Sequence, residues 1–281
     1  MRLQTTNVAA GPLMTTTVDP FEDMKMRQRE MWSSFAPTAT FTTPVAAHFV
    51  EFAQIRPGET VLDVGTGTGV VAITAARAGA SVTGVDLTPA LLEVARANSR
   101  VANVDIQWLE GDAENLPLPD GQFDVVVSQF GHMFAPRPEV TIEQMRRVMK
   151  PGGRLAFATW PPEHFVGRLF AFVGKNSPPP PPGASPPPQW GTPSIVAERL
   201  GVRFDAPFFS RGVMQIPALS LPHFREFMER SVGPIQKLIE GAAKDPQRLA
   251  VLRAEFEALA APYYFDNMIR QEYLLSRAKA R

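Results

Sequence analysis

No cysteine occurs among the 281 residues. Disulfides, thiolate metal sites and cysteine nucleophiles are therefore excluded, and the composition fits a reducing compartment. Net charge is also lacking, because 28 basic residues balance 28 acidic ones. No global field thus draws the chain towards nucleic acid or an anionic membrane. No stretch approaches the roughly 20 apolar residues that span a bilayer. The segment Met1–Pro20, rich in Thr and Ala, has no basic start followed by an apolar run. It reads as a frayed tail and not as a signal peptide. No internal repeat is visible, and His48, His164 and His223 are scattered without metal-ligand spacing. These absences lead us to expect a soluble, cytoplasmic protein with no metal.

Hydrophobic residues make up 44% of the chain, ample for a buried core. From residue 45 to residue 160 they fall into alternating strand and helix patterns. Val45, Phe49 and Phe52 share one helical face over 45–53, with Pro44 at the expected helix start. Strands are expected over Thr60–Val64, Ser81–Val85, Ile106–Leu109, Phe123–Ser128 and Leu155–Trp160. Helices are expected between them, one opened by a Thr88 cap and Pro89, another by Pro138. Such alternation argues for a mostly parallel sheet covered on both faces, and the unbroken Val125-Val126-Val127 suits a strand buried on both sides. Beyond Trp160 the pattern changes. Residues 177–188 are proline-rich and read as a stiff loop rather than a docking site for a partner. A short helix over 194–200 and a strand over 208–216 come next. Further helices follow, one with Leu249, Leu252, Phe256 and Leu259 on a face, and then a final strand over 270–276.

The most informative segment is Val61-Leu62-Asp63-Val64-Gly65-Thr66-Gly67-Thr68-Gly69: an apolar strand runs into three alternate glycines and then a helix. Glycine is required where backbone turns sharply against a ligand with no Cβ in the way, and the first strand–helix turn of such a sheet lies at its binding edge. A dinucleotide fingerprint places its third glycine where this chain has Val70. Asp63, just before the loop, would repel a pyrophosphate but suits a ligand with an ammonium group. Taken alone, the loop is also compatible with a turn that binds nothing. Asp86 ends the second strand about 20 residues after Gly65, where an acid can accept both ribose hydroxyls; its plainer reading is a helix cap. Gly111-Asp112-Ala113 follows the third strand, where a carboxylate can accept an adenine amino group; its plainer reading is a solvated loop acid.

Taken together, Val61–Gly69, Val82–Asp86, Gly111–Ala113, Phe123–Phe130 and Lys150–Gly153 resemble the class I S-adenosylmethionine-dependent methyltransferases, over roughly residues 45–160. The likeness is greatest to the small-molecule branch that includes ubiquinone and menaquinone methyltransferases. The resemblance implies a Rossmann-like α/β fold: a seven-stranded, mostly parallel sheet, helices on both faces and a C-terminal helical cap insertion. It implies S-adenosyl-L-methionine as cofactor. Asp63, Gly65, Thr66, Gly67 and Gly69 would hold the methionine moiety, Asp86 with Leu87 the ribose, and Asp112 with Ala113 the adenine. Ser128 and Gln129, ending the fourth strand, would lie beside the transferring methyl. The chain departs from some relatives: no Asn/Asp-Pro-Pro-Tyr/Phe motif follows the fourth strand, which speaks against methylation of a planar amide or base nitrogen by that device. The missing cysteines exclude arsenic methylation through thiolates.

The domain plan expected is a flexible tail and lid over 1–43, a cofactor-binding core over 44–160, and cap helices with final strands over 161–281. The expected activity is methyl transfer to a small, largely apolar molecule or lipid; the alternative is a cofactor-binding or assembly protein that keeps the fold without turnover. His132 is the candidate general base, although its loop position favours a packed or hydrogen-bonded histidine slightly over that role. Trp32, Phe35 and Phe41 suit either an aromatic lid or the core. The aromatics of 165–267 suit either an acceptor pocket or helix–helix packing.

Overall fold

The computed structural model describes residues 19–281, so the expected N-terminal tail lies outside them up to residue 18. Two helices come first, α1 (Glu22–Trp32) and α2 (Ala36–Phe52). The chain then alternates through β1 (Thr60–Val64), α3 (Val70–Arg77), β2 (Ser81–Asp86), α4 (Pro89–Val101), β3 (Gln107–Glu110), β4 (Phe123–Gln129), α5 (Pro138–Val148) and β5 (Met149–Thr159). The remainder is α6 (Phe165–Lys175), α7 (Pro193–Leu200), β6 (Phe208–Pro217), α8 (Leu221–Ser231), α9 (Gly233–Ala242), α10 (Pro246–Ala260), β7 (Tyr264–Phe265) and β8 (Met268–Lys279).

All eight strands form one sheet in the order β3-β2-β1-β4-β5-β8-β6, with the two-residue β7 beside β8. The first five pair in parallel, whereas β8 runs antiparallel to β5, β6 and β7. From β1 the chain winds outward through β2 to β3; from β4 it winds the other way to β5. Right-handed crossovers in opposite directions place α3 and α4 on one face and α5 on the other. The reversal leaves a crevice at the carboxyl ends of β1 and β4, where such sheets bind ligands. Strands covered on both faces bury every side chain they can, and Val125, Val126 and Val127 are fully buried.

Three local expectations need correction. The helix expected to begin at Pro44 begins at Ala36 and runs through that proline. Proline in a helix interior costs about 3 kcal/mol, but Val45, Ala46, Phe49, Val50 and Phe52 are all buried there. At about 1.5–3 kcal/mol for each large apolar side chain, their burial outweighs the break. Thr88 precedes α4 in extended conformation, yet its hydroxyl makes no capping bond. The strand expected over Leu155–Trp160 begins at Met149 and takes in Lys150-Pro151-Gly152-Gly153, where the pairing with β4 shifts register.

One feature of the sheet matters for the site. Thr159, the last residue of β5, stands opposite Leu274 of β8. From there β8 runs on to Met268, paired with β6 as far as Pro217. This two-stranded extension projects past the ends of the parallel strands and forms a wall above the crevice. The proline-rich segment is anchored at its C-terminal end: the Ser185 backbone N–H donates to the Pro136 carbonyl at 2.9 Å, and Trp190 just beyond it is fully buried.

Candidate active site

Strand β1 delivers Asp63 to the crevice with only 1% of its surface exposed. One carboxylate oxygen, Oδ2, accepts from the Thr66 hydroxyl at 2.6 Å and from the Ala72 backbone N–H at 3.2 Å. The other, Oδ1, is buried without a partner. An orphaned carboxylate oxygen in a low-dielectric site is costly unless a ligand satisfies it. Burial pushes the Asp63 carboxyl up to about 7; the charge of Asp86 adds to the shift, and the bonds from Thr66 and Ala72 oppose it.

The glycine loop brings backbone to the ligand. Gly65 has a φ of +65°, and a Cβ there would meet the Gly131 Cα at 2.8 Å, so the loops after β1 and β4 touch backbone to backbone. Gly67 has a φ of +55° and nothing within 4 Å of the Cβ position, because it faces open cavity. Gly69 does not line the cavity. It opens α3 in left-handed conformation, with the Trp108 ring in the space a side chain would need.

Asp86, at the end of β2, accepts from the Gly67 N–H at 2.7 Å through Oδ2 and from the Thr88 N–H at 2.8 Å through Oδ1. Each oxygen keeps a lone pair for a further donor. Burial raises its pKa, against the bonds from Thr88 and Gly67. Asp112 is less buried. Its Oδ1 accepts from the Glu114 N–H at 2.9 Å, and its Oδ2 lies 2.7 Å from the Lys25 ammonium of α1. That ammonium also lies 2.6 Å from Asp19 and 2.7 Å from Glu114. Asp19, Asp112 and Glu114 have the spacing of a cation site, and the Lys25 ammonium occupies its centre. Burial pulls the Lys25 pKa down, but the bonds to Asp112, Asp19 and Glu114 outweigh it and raise it.

Asp63, Gly65, Thr66, Gly67, Asp86, Leu87, Asp112, Ala113 and Gln129 all line one cavity. Ser128 does not: its fully buried hydroxyl donates to the Val64 carbonyl at 2.6 Å and accepts the His132 N–H at 3.0 Å, tying β1 to the loop after β4. Gln129 donates through Nε2 to the Thr42 carbonyl at 3.1 Å, leaving Oε1 without a partner. Phe130 follows with a φ of 62°, which bulky residues avoid. It stacks on Trp160 with ring centroids 3.9 Å apart, and such packing offsets backbone strain of order 1–3 kcal/mol.

His132 borders the cavity, but its ring packs into the core, 4.7 Å from Phe157 and 4.5 Å from Trp190 between centroids. Neither ring nitrogen has a partner. Burial drives its pKa down to about 3, helped by the charge of Arg199, so the ring is neutral and a weak base near neutrality.

The other end of the cavity is apolar. Trp32 of α1 and Phe35 just before α2 line it, with Leu169 and Phe170 of α6, Met214 and Ile216 of β6, and Met228 and Ile235 of α8 and α9. Phe41 instead packs on Phe227 at 5.4 Å. The cavity runs without interruption from the glycine loop to this apolar end. Lys25, Gln28, Gly131 and Gln271 also line it, and sequence reasoning did not single them out. Of these only Gly131 carried a local signal, as a glycine closely following a strand end at the binding edge.

A family profile described as a methyltransferase domain matches residues 62–157. An uncharacterized protein of Mycobacterium tuberculosis is 34% identical over 255 residues, covering 89% of this chain and 93% of the relative. A demethylmenaquinone methyltransferase of Thermus thermophilus is 36% identical over 115 residues, covering 40% of this chain and 52% of the relative. A solved structure from Bacillus halodurans, titled as a methyltransferase on provisional grounds, superposes with a TM-score of 0.56 at 22% identity, covering 83% of this chain and 97% of that one; that likeness concerns the fold. Among the described residues no helix is long and apolar enough to cross a membrane. With its glycine loop, its switch-point crevice and these relatives, the chain belongs to the class I S-adenosylmethionine-dependent methyltransferases.

Proposed function

We propose that this protein transfers a methyl group from S-adenosylmethionine to a small, largely apolar molecule or lipid. One observation carries the reading: a single cavity joins the glycine loop and three acids to an apolar chamber lined by Trp32, Phe35, Leu169, Phe170, Met214 and Ile216. When bound, the cofactor supplies a methyl on a sulfonium, an activated leaving group. Asp63 offers its free Oδ1 to the ammonium, and the open face of Gly67 admits ligand against backbone. Asp86 accepts the ribose hydroxyls beside Leu87, and Asp112 accepts the adenine amino group beside Ala113. Ser128 holds the loop after β4 in place, and Gln129 stands where that loop meets the chamber. The chain's task is to align and desolvate the reactants. A quinone-type acceptor, as in the name of the Thermus relative, falls within this class.

No proton transfer is assigned to His132, whose neutral ring is held between Phe157 and Trp190. The variant His132→Phe, which keeps an aromatic ring there, is expected to retain kcat within about threefold, with an unchanged pH–rate profile. A loss of the 10²–10⁴-fold typical of a missing base would return His132 to the chemistry. The test of the proposal itself is twofold. Calorimetry is expected to show binding of S-adenosylhomocysteine and none of NAD. Incubation with isotopically labelled S-adenosylmethionine and a metabolite and lipid extract is expected to yield a labelled apolar product. Binding without turnover on any extract would favour a cofactor-binding protein.

A further inference from the structure

One polar side chain is set among the apolar residues of the chamber. Gln271 of β8 is only 4% exposed and lines the cavity, yet among the described residues no hydrogen bond reaches its amide. Three other uncharged polar side chains around the chamber are tied to backbone carbonyls. Gln28 donates to the Phe134 carbonyl at 3.0 Å, Thr38 to the Ser231 carbonyl at 3.1 Å and Thr42 to the Ala39 carbonyl at 2.8 Å. Gln129 is engaged through its nitrogen alone, and the unpartnered His132 ring is packed between Phe157 and Trp190. The charged side chains on the cavity wall are Lys25, Asp63, Asp86 and Asp112, which belong to the cofactor end.

The register locates Gln271. Gln129 pairs with Ala158, and Ala158 with Leu275, so Gln271 lies four residues further along β8, about 13 Å past the level of Gln129. It sits on the projecting two-stranded wall opposite Met214, which also lines the cavity. An amide without a protein partner on a cavity wall keeps its full hydrogen-bonding capacity for whatever fills the cavity. A leucine or methionine would serve packing better.

Resting on the methyltransferase reading, we propose that Gln271 is a specificity-determining residue that hydrogen-bonds a carbonyl or hydroxyl oxygen of an uncharged, mainly apolar acceptor, at the end of the molecule remote from its methylated atom. The amide both donates and accepts, so it fits either oxygen. A chamber without a free charge selects against carboxylated or phosphorylated acceptors, which would be buried unpaired.

Equilibrium dialysis of the full-length protein, saturated with S-adenosylhomocysteine, tests this with three matched tricyclic probes: fluorene, 9-fluorenone and 9-fluorenol. In Gln271→Met the affinity for at least one oxygenated probe is expected to fall about fivefold relative to fluorene, the worth of one neutral hydrogen bond. The melting temperature of the ligand-free variant is expected to be unchanged, since the amide has no partner within the protein to lose. Gln271→Leu serves as a second variant with the same two expectations. Unchanged probe ratios in both variants, including no binding of any probe, overturn the proposal. So does a lowered melting temperature in both, which would mark Gln271 as a structural partner. Calorimetric binding of S-adenosylhomocysteine to the same variants is read separately. Its loss from the wild type would overturn the methyltransferase reading itself, whereas its retention with unchanged ratios refutes the role of Gln271 alone.

Discussion

At its cofactor end the cavity is walled by backbone and buried acids, drawn from the carboxyl ends of β1, β2 and β3 with the turns that follow. At its apolar end it is walled by side chains from α1, α6, β6, β8, α8 and α9, which lie far apart along the chain. The first end is rigid in kind: glycines with positive φ, a backbone contact between Gly65 and Gly131, and carboxylates held by N–H groups. The second is a packing surface of Phe, Met, Leu and Ile, where one methylene alters shape without disturbing the fold's logic. The difference teaches that ligand recognition here has two grammars. One is set by chain geometry and resists substitution; the other is set by side-chain volume and is free to vary.

The largest expected effect tests the rigid end. Gly67→Val would force a β-branched residue into a left-handed conformation and put its side chain where the cavity is open. S-adenosylhomocysteine affinity is expected to fall at least about 100-fold, or ~3 kcal/mol, by calorimetry. Near-normal binding would break the comparison outright.

Next comes Asp63→Asn. Loss of a charge-assisted contact predicts about 10- to 100-fold weaker binding of the same ligand. The pH dependence sharpens the test. Burial holds the folded-state pKa of Asp63 up at about 7, above the ~4 of an unfolded aspartate. The folded state therefore binds the extra proton between these values, and the stability it brings is full below about pH 4 and is lost as pH rises through about 7. The ligand needs the ionised form, so wild-type affinity is expected to climb as pH rises through 7 and then level off. The variant should show a flat profile and a melting-temperature advantage over the ligand-free wild type that widens from pH 5 to pH 8. An advantage that narrows would contradict the sign.

The smallest effect on the cofactor is expected at the other end. Phe170 packs 5.6 Å from Phe134 between ring centroids, on the chamber wall. Phe170→Ala is expected to leave S-adenosylhomocysteine affinity within about twofold while lowering stability by about 1–3 kcal/mol, less than for a fully buried ring. Fluorene binding should weaken in the same variant. A large loss of cofactor affinity would show that the two ends are not separable.

The same division governs what the sequence discloses. The strand alternation, the glycine loop, Asp86 and Asp112 are legible because each depends on residues a few positions away. The front of α2 is not legible, since Pro37, Pro44 and its threonines argue against a helix and only the buried face through Phe49 overrides them. Lys25 reads as one more charge in the polar run Glu22–Glu30; its burial follows from carboxylates that reach it from Asp112 and Glu114. Gln271 looks like an ordinary polar residue of a strand. Only the helices that close over β6 and β8 make its amide conspicuous. The ring of His132 is hidden for the same reason, by Trp190 arriving from beyond the proline-rich segment.

The antiparallel strand β8 has a consequence for how such a molecule comes into being. Every pairing among the five parallel strands is complete once residue 159 has been made, and β8, more than 100 residues later, supplies β5 with its outer neighbour. A ribosome at about 5–20 residues per second thus releases the strands that frame the crevice seconds before the wall bearing Gln271 exists. During that interval the open edge of β5 is an unpaired strand inviting misassociation. A cofactor already seated in the crevice would stabilise the half-made sheet by mass action, making the methyl donor a folding ligand before it is a reactant.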